Sequence, residues 1–377
     1  MVLNYCSPDD RGFDSIKLRK AIEVLHRYVE KAYPGAVLLV LRDGCIVLEE
    51  AVGYAQLVPK VRTLTKDTLF DLASLTKPLV GALLTMKLVE EGIVYLKQRV
   101  VDILPDFRYT PAGPNSIKEK VKLWMLLAHT SGLPPWIPLY RYARSREEVF
   151  YEALRAFPSY EPGERIVYSD IGFIVLTHIV EEMTRERIDR LFEEIIAKPL
   201  NLRKTLFNPL KHGFSPEEIA ATEEKPERGG VIVGEVHDEN AFAMEGISMH
   251  AGLFSIAREI AEILNTIIAT YRGLDDRILS MQAIKTMLRP WICSRDECYG
   301  LGWVVYSHRV TISGGDFLNS GRAFGHTGFT GTSIWIDLDL GIAIVFLTNR
   351  VHPTRENNAI AHVRPLIHNT ILAAVKK

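Results

Sequence analysis

Residues 70–84 read Phe-Asp-Leu-Ala-Ser-Leu-Thr-Lys-Pro-Leu-Val-Gly-Ala-Leu-Leu. From Ser74 onward this stretch predicts a helix with apolar residues on every side, and such a helix is buried all round. Ser74 and Lys77 lie three residues apart in its first turn, so their side chains share one face. A lysine that is desolvated there can lose its charge and accept the proton of the serine. The stretch therefore predicts a buried helix with a reactive serine at its mouth.

Length and composition restrict the class of protein. The chain has 377 residues, of which 47% are hydrophobic, which is enough for a large core and two domains. Its 45 basic and 46 acidic residues argue against a nucleic-acid-binding protein, because such proteins carry a basic excess. No stretch reaches the roughly 18 apolar residues of a membrane helix, and residues 1–8 do not resemble a secretion signal. We therefore expect a cytoplasmic protein with no nucleic-acid partner and no membrane partner.

The cysteines show no spacing typical of a zinc site; they are Cys6, Cys45, Cys293 and Cys298. The last two flank a charged tetrapeptide and could close a small disulfide loop, but a reducing cytoplasm favours two free thiols. Glutamine is scarce, whereas Glu, Lys and Arg are plentiful, and this composition is typical of hot habitats. We therefore expect free thiols and a thermophilic source.

Hydrophobic periodicity places strands at both ends of the chain and helices between them. The terminal elements are predicted at 14–32 (helix), 36–41, 45–48, 302–306, 333–337 and 341–347 (strands) and 357–375 (helix). Helices between them are predicted at 74–91, 119–128, 146–156, 171–184, 187–198, 257–272 and 280–289. The two ends are expected to share one antiparallel sheet. This predicts an α+β fold in which residues 1–69 and 295–377 form a sheet domain flanked by the N- and C-terminal helices. Residues 70–294 then form a mainly helical inserted domain, with the active site in the cleft between the two.

Two further motifs carry groups suited to chemistry. Tyr168-Ser169-Asp170 lies on a loop before a predicted helix, and a tyrosine there can pass protons if a cation lowers its pKa. Asp170 alternatively caps that helix. The stretch 325–331, Gly-His-Thr-Gly-Phe-Thr-Gly, lets a ligand approach the backbone, and the adjoining strand edge offers N–H groups to an oxyanion. A simple turn is the alternative for this last stretch.

The order and spacing of the three motifs resemble a known family. Tyr168 follows Ser74 by 94 residues and His326 follows it by 252. This resembles the class C-type branch of the serine β-lactamase and penicillin-binding-protein family, which carries Ser-x-x-Lys, Tyr-x-Asn and Lys/His-Thr-Gly elements. Segments 126–134, 236–241 and 250–255 also resemble recurrent stretches of the family. The resemblance covers nearly the whole chain and implies the β-lactamase/transpeptidase-like fold.

The resemblance also implies a role for each matching residue. Ser74 would be the nucleophile that forms an acyl-enzyme, Lys77 its base, and Tyr168 the group that delivers a proton to the leaving group. The N–H groups of Ser74 and Phe329 would form the oxyanion hole. His326 and Thr327 would line the opposite wall and orient the substrate. Asp170, Gly328 and Asn349 are further residues that we expect to bind the substrate. Neither a metal nor a cofactor is implied.

Two residues depart from the family pattern. Asp170 stands where the family usually has Asn, and a carboxylate there could pair with Lys77 and favour its charged form. His326 stands where β-lactamases typically have Lys, and a neutral imidazole makes the pocket less cationic. This weakens capture of the carboxylate of β-lactam antibiotics. Asn349 and Arg350 could supply that binding instead, or form only a strand-end turn.

Other histidines are expected to be structural. His129 follows a predicted helix and is expected to hold a loop by a hydrogen bond. His237, Asp238 and His250 show no metal-binding spacing such as HExxH. The GxSxG elbow of α/β-hydrolases is absent from the sequence.

We therefore expect a serine hydrolase that works by acylation and deacylation on an ester or a small amide or peptide. Esterase-like activity comes first, because an exported wall enzyme would need a signal peptide. A D-amino-acid peptidase or a DD-carboxypeptidase that processes muropeptides comes next, followed by a weak β-lactamase. A non-catalytic binding protein of the same fold is the alternative outside enzymes. The sequence does not decide whether the protein forms a homo-oligomer.

Overall fold

The computed structural model describes residues 3–305, 314–318 and 321–376. The α-helices of these ranges are α1 Ser15–Arg27, α2 Leu83–Glu90, α3 Val100–Ile103, α4 Leu123–Leu127, α5 Arg146–Leu154, α6 Asp170–Thr184, α7 Ile188–Phe192, α8 Lys198–Leu200, α9 Glu239–Ala243, α10 Ala257–Tyr271, α11 Met281–Leu288 and α12 Ile360–Leu372. The strands are β1 Asn4–Tyr5, β2 Gly35–Arg42, β3 Cys45–Gln56, β4 Arg62–Thr63, β5 Phe70–Asp71, β6 Tyr109–Thr110, β7 Gly113–Pro114, β8 Leu206–Phe207, β9 Glu224–Lys225, β10 Gly230–Val231, β11 Leu253–Ser255, β12 Ile292–Cys293, β13 Cys298–Tyr299, β14 Val304–Val305, β15 Ala323–Thr327, β16 Ser333–Asp337 and β17 Ile342–Thr348.

One large sheet forms the centre of the fold. Its strand order over the described ranges is β1-β3-β2-β17-β16-β15-β14-β13-β12, with β4 added at β3. Strands β2 and β17 pair antiparallel along their length, from Ala36 opposite Thr348 to Arg42 opposite Ile342. The two ends of the chain therefore share one sheet, and the predicted α+β class is confirmed.

Helices cover both faces of this sheet. On β2, Leu38 and Val40 belong to the cluster that contains α1 and α12, whereas Leu39 and Leu41 face the larger helical side. Successive side chains of a strand point to opposite faces, so a strand buried on both faces reads as one apolar run. Helix α10 packs against β2 and β17 on the helical side. The division into two domains at the boundaries given above stays a prediction.

Most predicted elements are present with shifted ends. The helix predicted over 119–128 is reduced to α4, and the one over 187–198 is interrupted by a π-helix, Glu193–Ala197. The strand predicted over 302–306 is observed as β14, and Tyr306 lies outside the described residues. No helix of the described ranges is long and apolar enough to span a bilayer.

The expectation of free thiols is wrong. Cys293 and Cys298 form a disulfide, and so do Cys6 and Cys45. The first pair lies directly opposite in the β12–β13 hairpin. The second pair meets because β1 lies beside β3, with Asn4 opposite Cys45. Strand register, which composition does not reveal, brings each pair together.

Candidate active site

The turn that carries Ser74 is fixed from behind by a buried carboxylate. Asp71, which is 2% exposed, accepts hydrogen bonds from Ala73 N at 2.8 Å and from His237 N at 2.7 Å. Ala73 has a left-handed φ of +46°, a conformation that is costly for a residue with a side chain. The carboxylate thus holds a strained backbone that presents Ser74 at the start of the helix.

The helix after Ser74 begins irregularly. A 3-10 turn, Ala73–Leu75, runs into a π-helix, Lys77–Ala82, before α2 starts. π-Turns are rare and occur often at functional sites. Thr76 Oγ1 donates to Ala73 O at 2.7 Å and accepts from Leu253 N at 3.2 Å, which ties this turn to β11. The sequence predicted the helix but gave no signal for its widened first turns.

Lys77 is fully buried, and its amine lies among four groups. Its Nζ is 3.0 Å from Ser74 Oγ, 2.9 Å from the His250 carbonyl oxygen and 2.6 Å from Asp170 Oδ1. It also lies 4.9 Å from the centre of the Tyr168 ring. Burial lowers the pKa of Lys77, but Asp170 and Tyr168 outweigh burial and leave this pKa above its ordinary value. The ion pair with Asp170 therefore favours the charged form of the Lys77 amine.

Tyr168 completes the group that the sequence placed together. Its ring lines the cavity together with Ser74, and the ring centre lies 4.9 Å from Lys77 Nζ. Burial raises the pKa of Tyr168 and Lys77 acts against it, so that the net pKa stays above the ordinary value. A hydroxyl, an ammonium and a neutral phenol thus meet at one point, and protons can pass between them.

Asp170 is the first residue of α6 but does not cap it. The cap is Ser169, whose Oγ accepts from Gly172 N at 3.0 Å. The carboxylate of Asp170 forms the ion pair with Lys77 instead. The alternative of an Asp170 cap is therefore wrong, because the residue before it already supplies the acceptor.

The opposite wall is the end of strand β15, beyond its pairing with β14 at Gly325, together with the loop that follows it. His326 Nδ1 lies 2.8 Å from the Thr327 carbonyl oxygen, which only accepts, so Nδ1 carries the proton. Burial, and then Lys77, lower the pKa of His326 to about 3, so the ring is neutral. Within the described part of the chain, its Nε2 has no hydrogen-bond partner. This wall therefore presents a neutral imidazole.

The loop after β15 approaches the Ser74 turn closely. A Cβ on Gly328 would lie 2.1 Å from Thr332 Oγ1 and 2.5 Å from the Leu72 carbonyl oxygen, so only glycine fits. The Gly328 carbonyl accepts from Gly331 N at 3.0 Å and from Arg364 at 3.4 Å. Because C=O and N–H are opposed in a trans peptide, this fixes the direction of the Phe329 N–H.

A cavity of about 540 Å³ lies between the two walls. Ser74 and Tyr168 line one side, and the far end is formed by Arg350 and by residues at the start of α12; the latter are Asn358, Ile360, Ala361 and Arg364. Sequence analysis missed Arg364. The available signal was its spacing from Ile360, since residues four apart on a helix share one face.

A family model for β-lactamases matches residues 19–368. The chain belongs to the β-lactamase family. A candidate D-alanyl-D-alanine carboxypeptidase of Salmonella agona is 35% identical, with 93% of this chain and 87% of that protein covered. This β-lactamase-family chain is a serine hydrolase.

Solved structures share the fold. EstCE1, a hydrolase with promiscuous acyltransferase activity, is 21% identical, with 95% of this chain and 99% of its own covered and a TM-score of 0.76. The octameric penicillin-binding protein homologue from Pyrococcus abyssi is 23% identical, with 94% and 76% covered and a TM-score of 0.70. The predicted β-lactamase/transpeptidase-like fold is confirmed.

The prediction that Asn349 binds the substrate is wrong. Asn349 is 1% exposed, and its Oδ1 accepts from Gly35 N at 3.0 Å. Its Nδ2 donates to the carbonyl oxygens of Tyr54 and Ala55 at 3.3 and 3.1 Å. The amide therefore joins the end of β17 to β2 and β3, and no polar atom is left for a substrate.

Two further histidines, His237 and His250, each lie beside a carboxylate. His237 lies 2.9 Å from Glu223, and His250 lies 2.8 Å from Asp238 and 2.7 Å from Ser248. The last three have the pattern of a Ser-His-Asp triad, but Ser248 is fully buried and no substrate reaches it. In the described ranges no group of three or more His, Cys, Asp or Glu could hold a metal ion.

Proposed function

We propose that this serine hydrolase transfers the acyl part of an ester, or of a small amide or peptide, to Ser74 and then releases it to water. The observation that supports this is the distance of 3.0 Å from Lys77 Nζ to Ser74 Oγ, with the Tyr168 ring centre 4.9 Å from the same amine. A serine hydroxyl becomes an effective nucleophile only when a nearby base takes its proton during the attack.

Acylation uses the three side chains in turn. Ser74 Oγ attacks the carbonyl carbon, and its proton passes to Lys77 in molecules whose lysine is neutral. The N–H groups of Ser74 and Phe329 stabilise the negative oxygen that forms. As the bond to the leaving group breaks, the Tyr168 phenol gives its proton to the leaving atom and regains one from Lys77. The net result moves the proton of Ser74 to the leaving group.

In deacylation the same side chains transfer the proton in the opposite direction. Water attacks the acyl carbon, and the tyrosine and the lysine accept its proton. The proton then returns to Ser74 Oγ as the acid product leaves. Thr327 and His326 form the wall that orients the substrate, and the neutral ring of His326 adds no cation there.

Ester hydrolysis tests this proposal. We expect short-chain p-nitrophenyl esters to be hydrolysed by the wild type, and the rate to fall at least about 10³-fold in Ser74→Ala. Intact-mass measurement should show one added group after a fluorophosphonate in the wild type and none in Ser74→Ala. Equal ester rates in the two proteins would favour a binding protein of the same fold.

A second candidate, a carboxypeptidase, is favoured by the cations in the cavity. Arg350 donates to the carbonyl oxygens of Phe329, Arg355 and Asn357, and to the side chain of Asn358. Arg364 donates to the carbonyl oxygens of Gly328 and Thr332. No carboxylate of the described ranges pairs with either arginine, so the cavity can accept the free carboxylate of a peptide. The name of the Salmonella agona relative agrees with this candidate.

The two candidates separate on one pair of substrates. A short peptide ending in D-Ala-D-Ala with a free carboxylate is compared with the same peptide amidated at its C-terminus. The carboxypeptidase candidate predicts that the free acid is cleaved at least about tenfold faster, as expected when a buried charged group loses its partner. Equal cleavage of the free and the amidated peptide favours the esterase. So does rapid ester hydrolysis by a protein that cleaves neither peptide.

Location, source and assembly belong to the same proposal. Intracellular disulfides are rare except in hyperthermophiles, whose cytoplasmic proteins are rich in them. The two disulfides are therefore compatible with a cytoplasmic enzyme of a hot habitat. A homo-oligomer is compatible with the octameric state of the Pyrococcus abyssi homologue.

A further inference from the structure

His129 is buried against Tyr168. It accepts hydrogen bonds from the two residues that flank Tyr168 in the chain, Val167 and Ser169. The His129 side chain is only 1% exposed. Its carbonyl oxygen accepts from Val167 N at 2.8 Å, and its Nδ1 accepts from Ser169 N at 3.0 Å. The second bond confirms the prediction that His129 holds a loop. The backbone on each side of Tyr168 is therefore fixed by one residue.

The ring of His129 also supports the ring of Tyr168. The two rings are stacked, with centres 4.3 Å apart and planes 28° apart. The edge contact with Tyr299, at 5.1 Å and 79°, and the ring of Phe173, at 5.2 Å, hold the imidazole in place. Such aromatic contacts favour one orientation of the partner ring over others. The phenol of Tyr168 is thereby restrained at its backbone and along one face.

The imidazole of His129 takes no part in proton transfer. A backbone N–H only donates, so Nδ1 must offer its lone pair to Ser169 and the ring proton lies on Nε2. Burial, followed by the nearby Lys77 cation, holds the pKa of His129 well below its ordinary value. The ring is neutral while Nδ1 accepts from Ser169 N, and its contribution is geometric.

The backbone of His129 favours few residue types. It has a left-handed φ of +55° and follows Ala128, the C-cap of α4. Among residues with side chains, Asn, Asp and His adopt this region most readily. Of these three, only His combines a ring for stacking with an acceptor at the right position. The ring contacts Tyr168 and the acceptor binds Ser169 N, so both interactions are made with the segment 167–169.

We infer that His129 is the positioning residue of Tyr168, which holds the phenol within reach of Ser74 and Lys77. This inference rests on the proposed role of Tyr168 in proton transfer. Residues 163–169 form neither helix nor strand, so the loop itself does not fix the tyrosine. Misplacement of a catalytic group by about 1 Å can cost about 10² in rate.

Two substitutions separate the stacking of the His129 ring on Tyr168 from its hydrogen bond with Ser169 N. His129→Asn keeps an acceptor near Nδ1 and tolerates the left-handed backbone but removes the ring. His129→Phe keeps a ring and removes the acceptor. The matched control is His178→Asn, because His178 stacks on Phe150 at 4.6 Å and 18° and does not line the cleft. We expect each His129 variant to lower kcat for a p-nitrophenyl ester about 10- to 100-fold with KM within about threefold, and the control to change neither.

A double-mutant cycle with Tyr168→Phe tests whether His129 acts through the tyrosine. Once the phenol oxygen is absent, replacing His129 should cost almost nothing further in kcat. An undiminished loss in the Tyr168→Phe background, or a wild-type kcat in both single variants, would overturn the inference. If one variant fails to fold by circular dichroism, His129→Gln enters the same cycle.

Labelling of Ser74 distinguishes a failure of the His129 role from a failure of the proposed hydrolase function. Fluorophosphonate labelling of Ser74 is measured in every variant. If Ser74 is labelled and the cycle shows no coupling, the role of His129 fails and the function stands. If the wild type itself is not labelled and hydrolyses no ester, the proposed function fails.

Discussion

The two walls of the cleft are built differently. On the Ser74 wall, the amine of Lys77 is fully buried and surrounded by Ser74, His250 and Asp170 at 2.6 to 3.0 Å. On the β15 wall, His326 Nε2 lacks a partner in the described ranges, and the Phe329 side chain is 49% exposed. A buried amine with several polar contacts is held in one position, whereas a buried imidazole nitrogen without a hydrogen-bond partner is suited to receive one from a ligand. The first wall suits chemistry, and the second suits recognition.

Removal of the amine from the Ser74 wall should have the largest effect. Lys77→Met keeps the length of the side chain but removes the base, so kcat for ester hydrolysis should fall about 10²- to 10⁴-fold. The control is Lys87→Met on α2, whose partly exposed lysine pairs with Glu90 at 3.2 Å. Such pairs contribute little, so that variant should keep wild-type kinetics. A Lys77→Met protein with normal activity would contradict the assignment of this wall to chemistry.

A smaller loss is expected when the two walls are forced apart. Gly328→Ala introduces a Cβ at 2.1 Å from Thr332 Oγ1, so the loop must shift. We expect kcat/KM to fall about 10- to 100-fold and the free energy of unfolding in urea to fall by about 1–3 kcal/mol.

The matched glycine control for Gly328 lies on α6. At Gly172 a Cβ would meet its nearest neighbours only at 3.7 Å, which is ordinary contact. Gly172→Ala should therefore keep the activity and raise the free energy of unfolding by about 0.4–1 kcal/mol. If both variants behaved alike, the close approach at Gly328 would not matter for the cleft.

Asp170→Asn should have the smallest effect on the maximal rate, but it should clearly shift the pH dependence of kcat/KM. The Asp170 carboxylate is the main group that raises the pKa of Lys77, and burial acts in the opposite direction. Without the carboxylate the amine loses its proton at lower pH. The acid limb of kcat/KM should move to lower pH by about one unit or more, with most of the maximal rate retained. Complete loss of activity in a folded variant would mean that Asp170 does more than hold the charge of Lys77.

Local signals predicted the elements of the fold, and motif spacing predicted the Ser74 wall. Helix α10 and strand β16 lie where their periodicity placed them, because hydrophobic patterns are local. Ser74, Lys77 and Tyr168 could be named because two of them share one helical turn and the third belongs to a motif at a characteristic spacing.

The rest depended on contacts between distant parts of the chain. Asn349 looked free at the end of a strand, but its partner Gly35 lies 314 positions earlier. Arg364 reaches the cavity only because α12 begins at its edge. The pairing of Cys6 with Cys45 follows from the neighbourhood of β1 and β3. Sequence patterns report which face is buried, but not which distant groups meet on it.

The hydrogen bonds that surround Lys77 have a consequence during synthesis. The amine is held by the carbonyl of His250, and the turn of Thr76 is tied to Leu253. The Ser74 turn therefore cannot reach its working shape until the chain has been synthesised as far as Leu253. A nascent polypeptide that ends before Leu253 would carry the serine but lack the partners that shape its turn, so it would remain inert.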